Sequence, residues 1–153
     1  MAIERLTVLN LEEAERLAGD PATAVISVTD PGMAALLAEG FGDVLRLAFH
    51  DIDDDTLALL EHAPNAPEPE VRPFSAAQAR QLVSWADALA GAARPMRLAV
   101  HCHAGISRSS AIAWFLHRRH GAALQWQAHF APNRRVLRLL AEAGGMPLTL
   151  PGP

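Results

Sequence analysis

Apolar positions along this chain recur in two rhythms, one helical and one strand-like, and they alternate. Leu11, Ala14, Leu17 and Ala18 share one helical face behind Asn10-Leu11-Glu12-Glu13, which has the spacing of a capping box, and Gly19 marks a stop. Ala24 to Val28 reads as a short buried strand ended by Asp30-Pro31-Gly32. Met33 to Glu39 predicts two helical turns before Gly40, and Val44 to Phe49 a second strand that runs into an acidic stretch, Asp51 to Asp55. A short helix fits Thr56 to Glu61, whereas Pro64, Pro67, Pro69 and Pro73 forbid a long one beyond it.

Ser75 to Gln78 is a second capping box, and Ala79, Leu82, Val83, Ala86 and Leu89 form a helical stripe ending near Gly91. Arg97 to Val100 predicts a buried strand. Ser109 to His120 is apolar nearly all round through Phe115, so it belongs at the centre; Arg118, Arg119 and His120 suit the negative end of its dipole, and Gly121 ends it. Gln125 to Phe130 predicts a short helix. Pro132-Asn133 opens a last one, with Val136, Leu137, Leu139, Leu140 and Ala143 inward and Gly144-Gly145 closing it. Helices separating buried strands predict an α/β fold, a three-layer sandwich with a central, mainly parallel sheet, as a single domain over 1–153 with a loose tail after Met146. In such a sheet ligands lie at the carboxyl ends of the strands.

Composition narrows the function classes. A net charge of −4 gives no reason to expect nucleic acid or an anionic membrane as partner. No stretch has the uncharged length of a membrane span, and the first ten residues, with Glu4 and Arg5, lack the apolar centre of a secretory signal. One cysteine excludes an internal disulfide, and a reactive thiol suits a reducing compartment, so the cytoplasm is expected.

The chemistry concentrates in His101-Cys102-His103-Ala104-Gly105-Ile106-Ser107-Arg108-Ser109, a small-residue loop between strand and helix. An anion there is met by backbone N–H groups and by the positive end of the helix dipole. Arg108 adds a two-pronged contact that lysine cannot reproduce. The same field favours the thiolate of Cys102, the reactive form of the residue.

The motif His-Cys-x-x-Gly-x-x-Arg-Ser resembles the signature of the cysteine-based protein tyrosine and dual-specificity phosphatases, nearest to the compact dual-specificity-like bacterial enzymes; beyond the loop the likeness follows element order over roughly Val44 to Arg138. The resemblance implies a metal-independent phosphatase, needing no cofactor, that hydrolyses phosphate monoesters through a phosphocysteine on Cys102. The substrate would carry phosphotyrosine or phosphoserine/threonine on a protein. It implies that His103, Ala104, Gly105, Ile106 and Ser107 bind phosphate mainly through their amides, beside Arg108. Ser109 would hydrogen-bond the sulfur, and His101 would orient the loop without acting as a base. The family's general acid is an aspartate upstream of the cysteine: of Asp51, Asp53, Asp54 and Asp55, the strand-then-acid order matches best at Asp51, with Asp53 the alternative.

Rival readings differ in what they need. Metal ligation by His101, Cys102 and His103 lacks ligand spacing, since adjacent strand positions face opposite ways. A redox reductase needs further cysteines. Lipid phosphatases of this superfamily usually place lysines inside the loop, and here there are none. An inactive phosphate-binding module and a phosphatase of small phosphorylated metabolites or lipids stand as alternatives. The proline-rich stretch from Pro64 to Pro73 is read as a candidate rim for substrate selection. Gln125 and Gln127 read as surface residues.

Overall fold

The computed structural model describes residues 3–62 and 71–151. Ten elements follow one another: β1 (Ile3–Leu9), α1 (Leu11–Arg16), β2 (Thr23–Thr29), β3 (Asp43–Ala48), α2 (Asp54–Glu61), α3 (Ala76–Ala90), β4 (Met96–His101), α4 (Arg108–His120), β5 (Ala123–Leu124) and α5 (Arg134–Gly144). The five strands form one all-parallel sheet in the order β3-β2-β4-β1-β5, flanked by helices as a three-layer sandwich. Strand β4 lies at its centre, between β2 and β1, and all of its side chains except Arg97 are buried. A strand covered on both faces must read as a continuous apolar run, which is how Leu98-Ala99-Val100 reads.

Both capping boxes form. The Asn10 side chain accepts from the Glu13 amide at 2.8 Å and Glu13 returns to the Asn10 amide at 3.0 Å, and Ser75 and Gln78 do the same at the start of α3. Phe49, Phe74 and Phe115 are the largest fully buried side chains, each contributing about 2 kcal/mol of burial. The rings of Phe49 and Phe74 lie 4.7 Å apart and pin the end of β3.

Three local expectations need correction, and one strand was not expected. Met33 to Glu39 is not helical. Its backbone is held by outside side chains: Thr29 donates to the Met33 carbonyl, Arg46 to that of Ala35, and Glu15 accepts from the Leu36 amide. A two-turn helix is too marginal in isolation to compete with such partners. Helix α1 stops at Arg16, short of Gly19; that glycine instead lets two chain segments meet, because a Cβ there would lie 1.8 Å from the Glu39 carbonyl oxygen. Gln125 to Phe130 is not a helix either, since Trp126 packs edge-on against Trp114 and Phe130 and fixes the segment through its rings. Strand β1 has no strand-like alternation in its sequence. A bulge between Ile3 and Arg5 breaks the period of two, so the inward residues Ile3 and Leu6 stand three apart with Glu4 and Arg5 between them.

Beyond α5 the chain stays in touch with the body, with the Thr149 carbonyl accepting from the Trp114 indole at 2.7 Å. Of the proline-rich stretch, residues 64–70 lie outside the described residues; next to it, Arg72 and His50 are joined by two hydrogen bonds, from the His50 amide to the Arg72 carbonyl and from the Arg72 amide to His50 Nδ1. Among the described residues no helix is long and apolar enough to cross a membrane.

Candidate active site

Strand β4 ends at His101 and α4 starts at Arg108, so Cys102 to Ser107 form the turn between the central strand and the helix. Cys102 is buried at the floor of this turn. Its sulfur lies 3.0 Å from Ser109 Oγ and accepts from the Gly105 amide at 3.3 Å. Burial alone would push the Cys102 thiol up, but the Ser109 hydroxyl and the amides of Ser109, Gly105 and Ile106 outweigh it and hold the thiol below its ordinary value. The curvature needs Gly105: its φ is +71°, and a Cβ there would sit 2.9 Å from the Asn10 amide nitrogen and 3.0 Å from the Leu9 carbonyl carbon. The His103 carbonyl accepts from the Leu11 amide, which ties the other side of the loop to the start of α1.

His101 is fully buried, with Nδ1 3.2 Å from the Cys102 carbonyl oxygen and Nε2 2.6 Å from Ser27 Oγ. A carbonyl can only accept, so Nδ1 carries the hydrogen and Nε2 accepts from Ser27. Burial, ahead of the opposing Cys102 carbonyl, lowers the pKa of the ring and keeps it neutral. A neutral ring with both nitrogens committed is an orienting group for the loop.

Arg108 is held from two strands at once. Its Nη1 donates to Asp30 Oδ1 and to the Phe49 carbonyl, each at 2.7 Å. Asp30 follows β2 and Phe49 follows β3, so the carboxyl ends of neighbouring strands aim the guanidinium. Nε is buried and has no partner among the described residues. A buried donor left unmet costs about 1–3 kcal/mol, and a bound oxyanion is the group that would meet it.

The four aspartates separate by what they do. Asp51 Oδ1 accepts from Ser107 Oγ at 2.8 Å and from Asn133 Nδ2 at 2.9 Å, which brings it to the loop. Asp53 is the N-cap of α2, and the hydrogen bond from the Thr56 amide holds its carboxyl below the usual range. Asp54 is engaged by Arg138 and Arg135, and the hydrogen bond from Arg138, ahead of the opposing effect of burial, lowers its pKa likewise. Asp55 stands in the first turn of α2. Asp53 and Asp54 are thus committed to a helix cap and to two arginines, whereas the contacts of Asp51 are with the loop and with Asn133.

A cleft of about 280 Å³ opens beside the loop, lined by Asp51, Asp53, Thr56, Ser107, Asn133 and Arg134. The larger cavity, about 740 Å³, runs along α5 past Leu137, Arg138 and Met146 and includes no residue of the loop. Among the described residues no group of three or more His, Cys, Asp or Glu side chains is placed to hold a metal ion.

Hydrogen bonds thus group Cys102 with His101, Gly105 and Ser109, Asp51 with Ser107 and Asn133, and Arg108 with Asp30, and the backbone of one loop carries a member of each group. Asp30, Ser27 and Asn133, which contact Arg108, His101 and Asp51 respectively, were not expected. Asp30 carried a usable signal, since it ends a buried strand in a parallel sheet, where ligand-facing groups gather. Ser27 and Asn133 carried none, because a buried serine in a strand and an N-cap asparagine each have a sufficient structural reason to be present. Comparison of the chain with protein-family models and with curated proteins finds no match.

Proposed function

We propose that this chain is a metal-independent phosphatase that hydrolyses phosphate monoesters through a phosphocysteine. The observation that carries the reading is the convergence on one buried sulfur of a hydroxyl and backbone amides, beside an arginine whose buried Nε is unmet. The Cys102 thiolate attacks phosphorus, the ester P–O bond breaks, and Asp51 gives its proton to the departing oxygen. Arg108 and the amides of His103 to Ser107 hold the three non-bridging oxygens, whose charge they meet in the transition state. Water then attacks phosphorus with its proton passing to the Asp51 carboxylate, the S–P bond breaks, and Ser109 steadies the departing thiolate. Inorganic phosphate leaves, and Asp51 is again protonated.

The substrates are phosphorylated proteins or small phosphomonoesters, with no role for nucleic acid, membrane or cofactor. A reactive thiol without a second cysteine suits the cytoplasm. Hydrolysis of an aryl phosphate in the presence of chelator tests the chemistry: turnover should persist in the wild type and vanish in Cys102→Ser. Turnover that requires added metal, or survives the substitution, refutes it. Phosphate binding without turnover by folded wild type assigns the chain to the phosphate-binding modules instead.

A further inference from the structure

Asn133 stands where three parts of the site meet. It is buried, and each of its polar groups is used. Its Oδ1 accepts from the Val136 amide at 3.1 Å as the N-cap of α5. Its backbone N–H donates to the Ser107 carbonyl at 3.1 Å, next to the Ala131 amide donating to the Ile106 carbonyl, so the entry to α5 is laced to the catalytic loop. Its Nδ2 donates to Asp51 Oδ1 at 2.9 Å and to the Ile52 carbonyl at 3.2 Å. The Val136 amide can only donate and the Ile52 carbonyl can only accept, so the side-chain amide has one orientation, with Nδ2 toward Asp51.

We infer that Asn133 is a positioning residue for Asp51, aiming its proton at the leaving-group oxygen. The inference rests on the reading that Asp51 is the general acid. Asn133 Nδ2 and Ser107 Oγ both donate to Oδ1, which leaves Oδ2 to carry the proton that is given away. Ser107 lies in the phosphate loop and Asn133 is fastened to it, so the carboxyl is referenced to the same backbone that holds the phosphate. A helix cap needs only an acceptor; the two contacts made by Nδ2 lie outside what the cap requires.

The test separates positioning from capping. Asn133→Ser keeps a favourable N-cap and removes Nδ2, and Asn133→Asp keeps both size and cap while replacing the donor by a carboxylate. Near neutral pH, each should lower kcat about tenfold on phenyl phosphate, whose leaving group needs a proton, with KM within about twofold. On an activated nitrophenyl phosphate, whose phenolate departs unprotonated, the loss should stay under about threefold. In an Asp51→Asn background Asn133→Ser should cost nothing further, because the group it positions is gone. Equal losses on the two substrates, no loss, or a full additional loss beyond Asp51→Asn each overturn the inference. If Asp51→Asn by itself affects both substrates alike, the acid assignment falls and the inference falls with it. Should Asn133→Ser fail to fold, Asn133→Asp carries the same comparison.

Discussion

Helix α4 bears an arginine near each end, each paired with an aspartate, and the two are finished differently. At the C-terminal end Arg119 donates from Nε and Nη2 to the two oxygens of Asp87, both at 2.8 Å, and from Nη1 to the Gly144 carbonyl at 2.9 Å. At the N-terminal end Arg108 places both of its contacts on Nη1, and Nε has none. Yet Arg108 is the more buried, with 5% of its side chain exposed against 24% for Arg119. It also stands at the positive end of the helix dipole, where a cation is disfavoured, whereas Arg119 stands where a cation is stabilised. Folding alone would give the reverse arrangement, meeting every donor of the deeper arginine. Arg119 ties α3, α4 and the end of α5 together; Arg108 keeps an unmet donor, which on the proposed reading an anion would meet.

Exchanging each arginine for lysine is the strongest way to break this comparison. Arg108→Lys should lower kcat/KM on an aryl phosphate by about 10²–10³-fold while leaving thermal stability unchanged or slightly raised, since an unmet donor is removed. Arg119→Lys should do the opposite, costing about 1–2 kcal/mol in urea unfolding and leaving turnover per folded molecule within about twofold. Inorganic phosphate should raise the melting temperature of the wild type and of Arg119→Lys but not that of Arg108→Lys. If the two substitutions exchange these effects, the contrast between the ends of the helix carries no functional meaning.

Much of this contrast is legible in the sequence, and its limits have physical causes. The loop, its arginine and its place after a buried strand follow from a short continuous pattern, in which each residue's neighbours in sequence are also its neighbours in space. The four aspartates illustrate the opposite case. Their order along the chain favours Asp51, but what distinguishes Asp53 is that it caps a helix, and what distinguishes Asp54 is a pair of arginines more than eighty residues away. Met33 to Glu39 has helical spacing, yet Thr29, Glu15 and Arg46 reach its backbone from three other elements. Strand β1 is hidden by a single bulge. Local pattern fixes elements whose backbone bonds are their own, and it fails where tertiary partners supply them.

Asp30 sharpens the comparison on a smaller scale. Its carboxylate either orients Arg108 or merely offsets its charge, and the two roles predict opposite signs. If orientation dominates, Asp30→Asn should lower kcat/KM by about three- to tenfold and weaken inhibition by vanadate, because the guanidinium loses one of the two acceptors that aim it. If only charge mattered, removing an anion beside the site would tighten oxyanion binding. Orientation is the expected outcome. Stability should change by less than about 1 kcal/mol, since the Asp30 side chain is 53% exposed and such pairs are weak.

The smallest effect concerns the ionisation of Cys102. Burial works against ionisation of Cys102, and the Ser109 hydroxyl with the loop amides reverses it, so the folded thiol ionises below the unfolded one. The rate of alkylation by iodoacetamide should therefore reach half its maximum at a lower pH than for the unfolded thiol, and Ser109→Ala should move that midpoint upward. The same displacement acts on stability. Because the folded value is depressed, ionisation favours the fold: the contribution is fully present above the unfolded thiol's value and is lost as pH falls through the folded one. The stability of the wild type relative to Cys102→Ser, which stays neutral at this position, should then rise with pH across that window and level off on either side. A difference that shrinks with rising pH would mean that burial prevails at Cys102. The proposed reading would then lack its thiolate nucleophile.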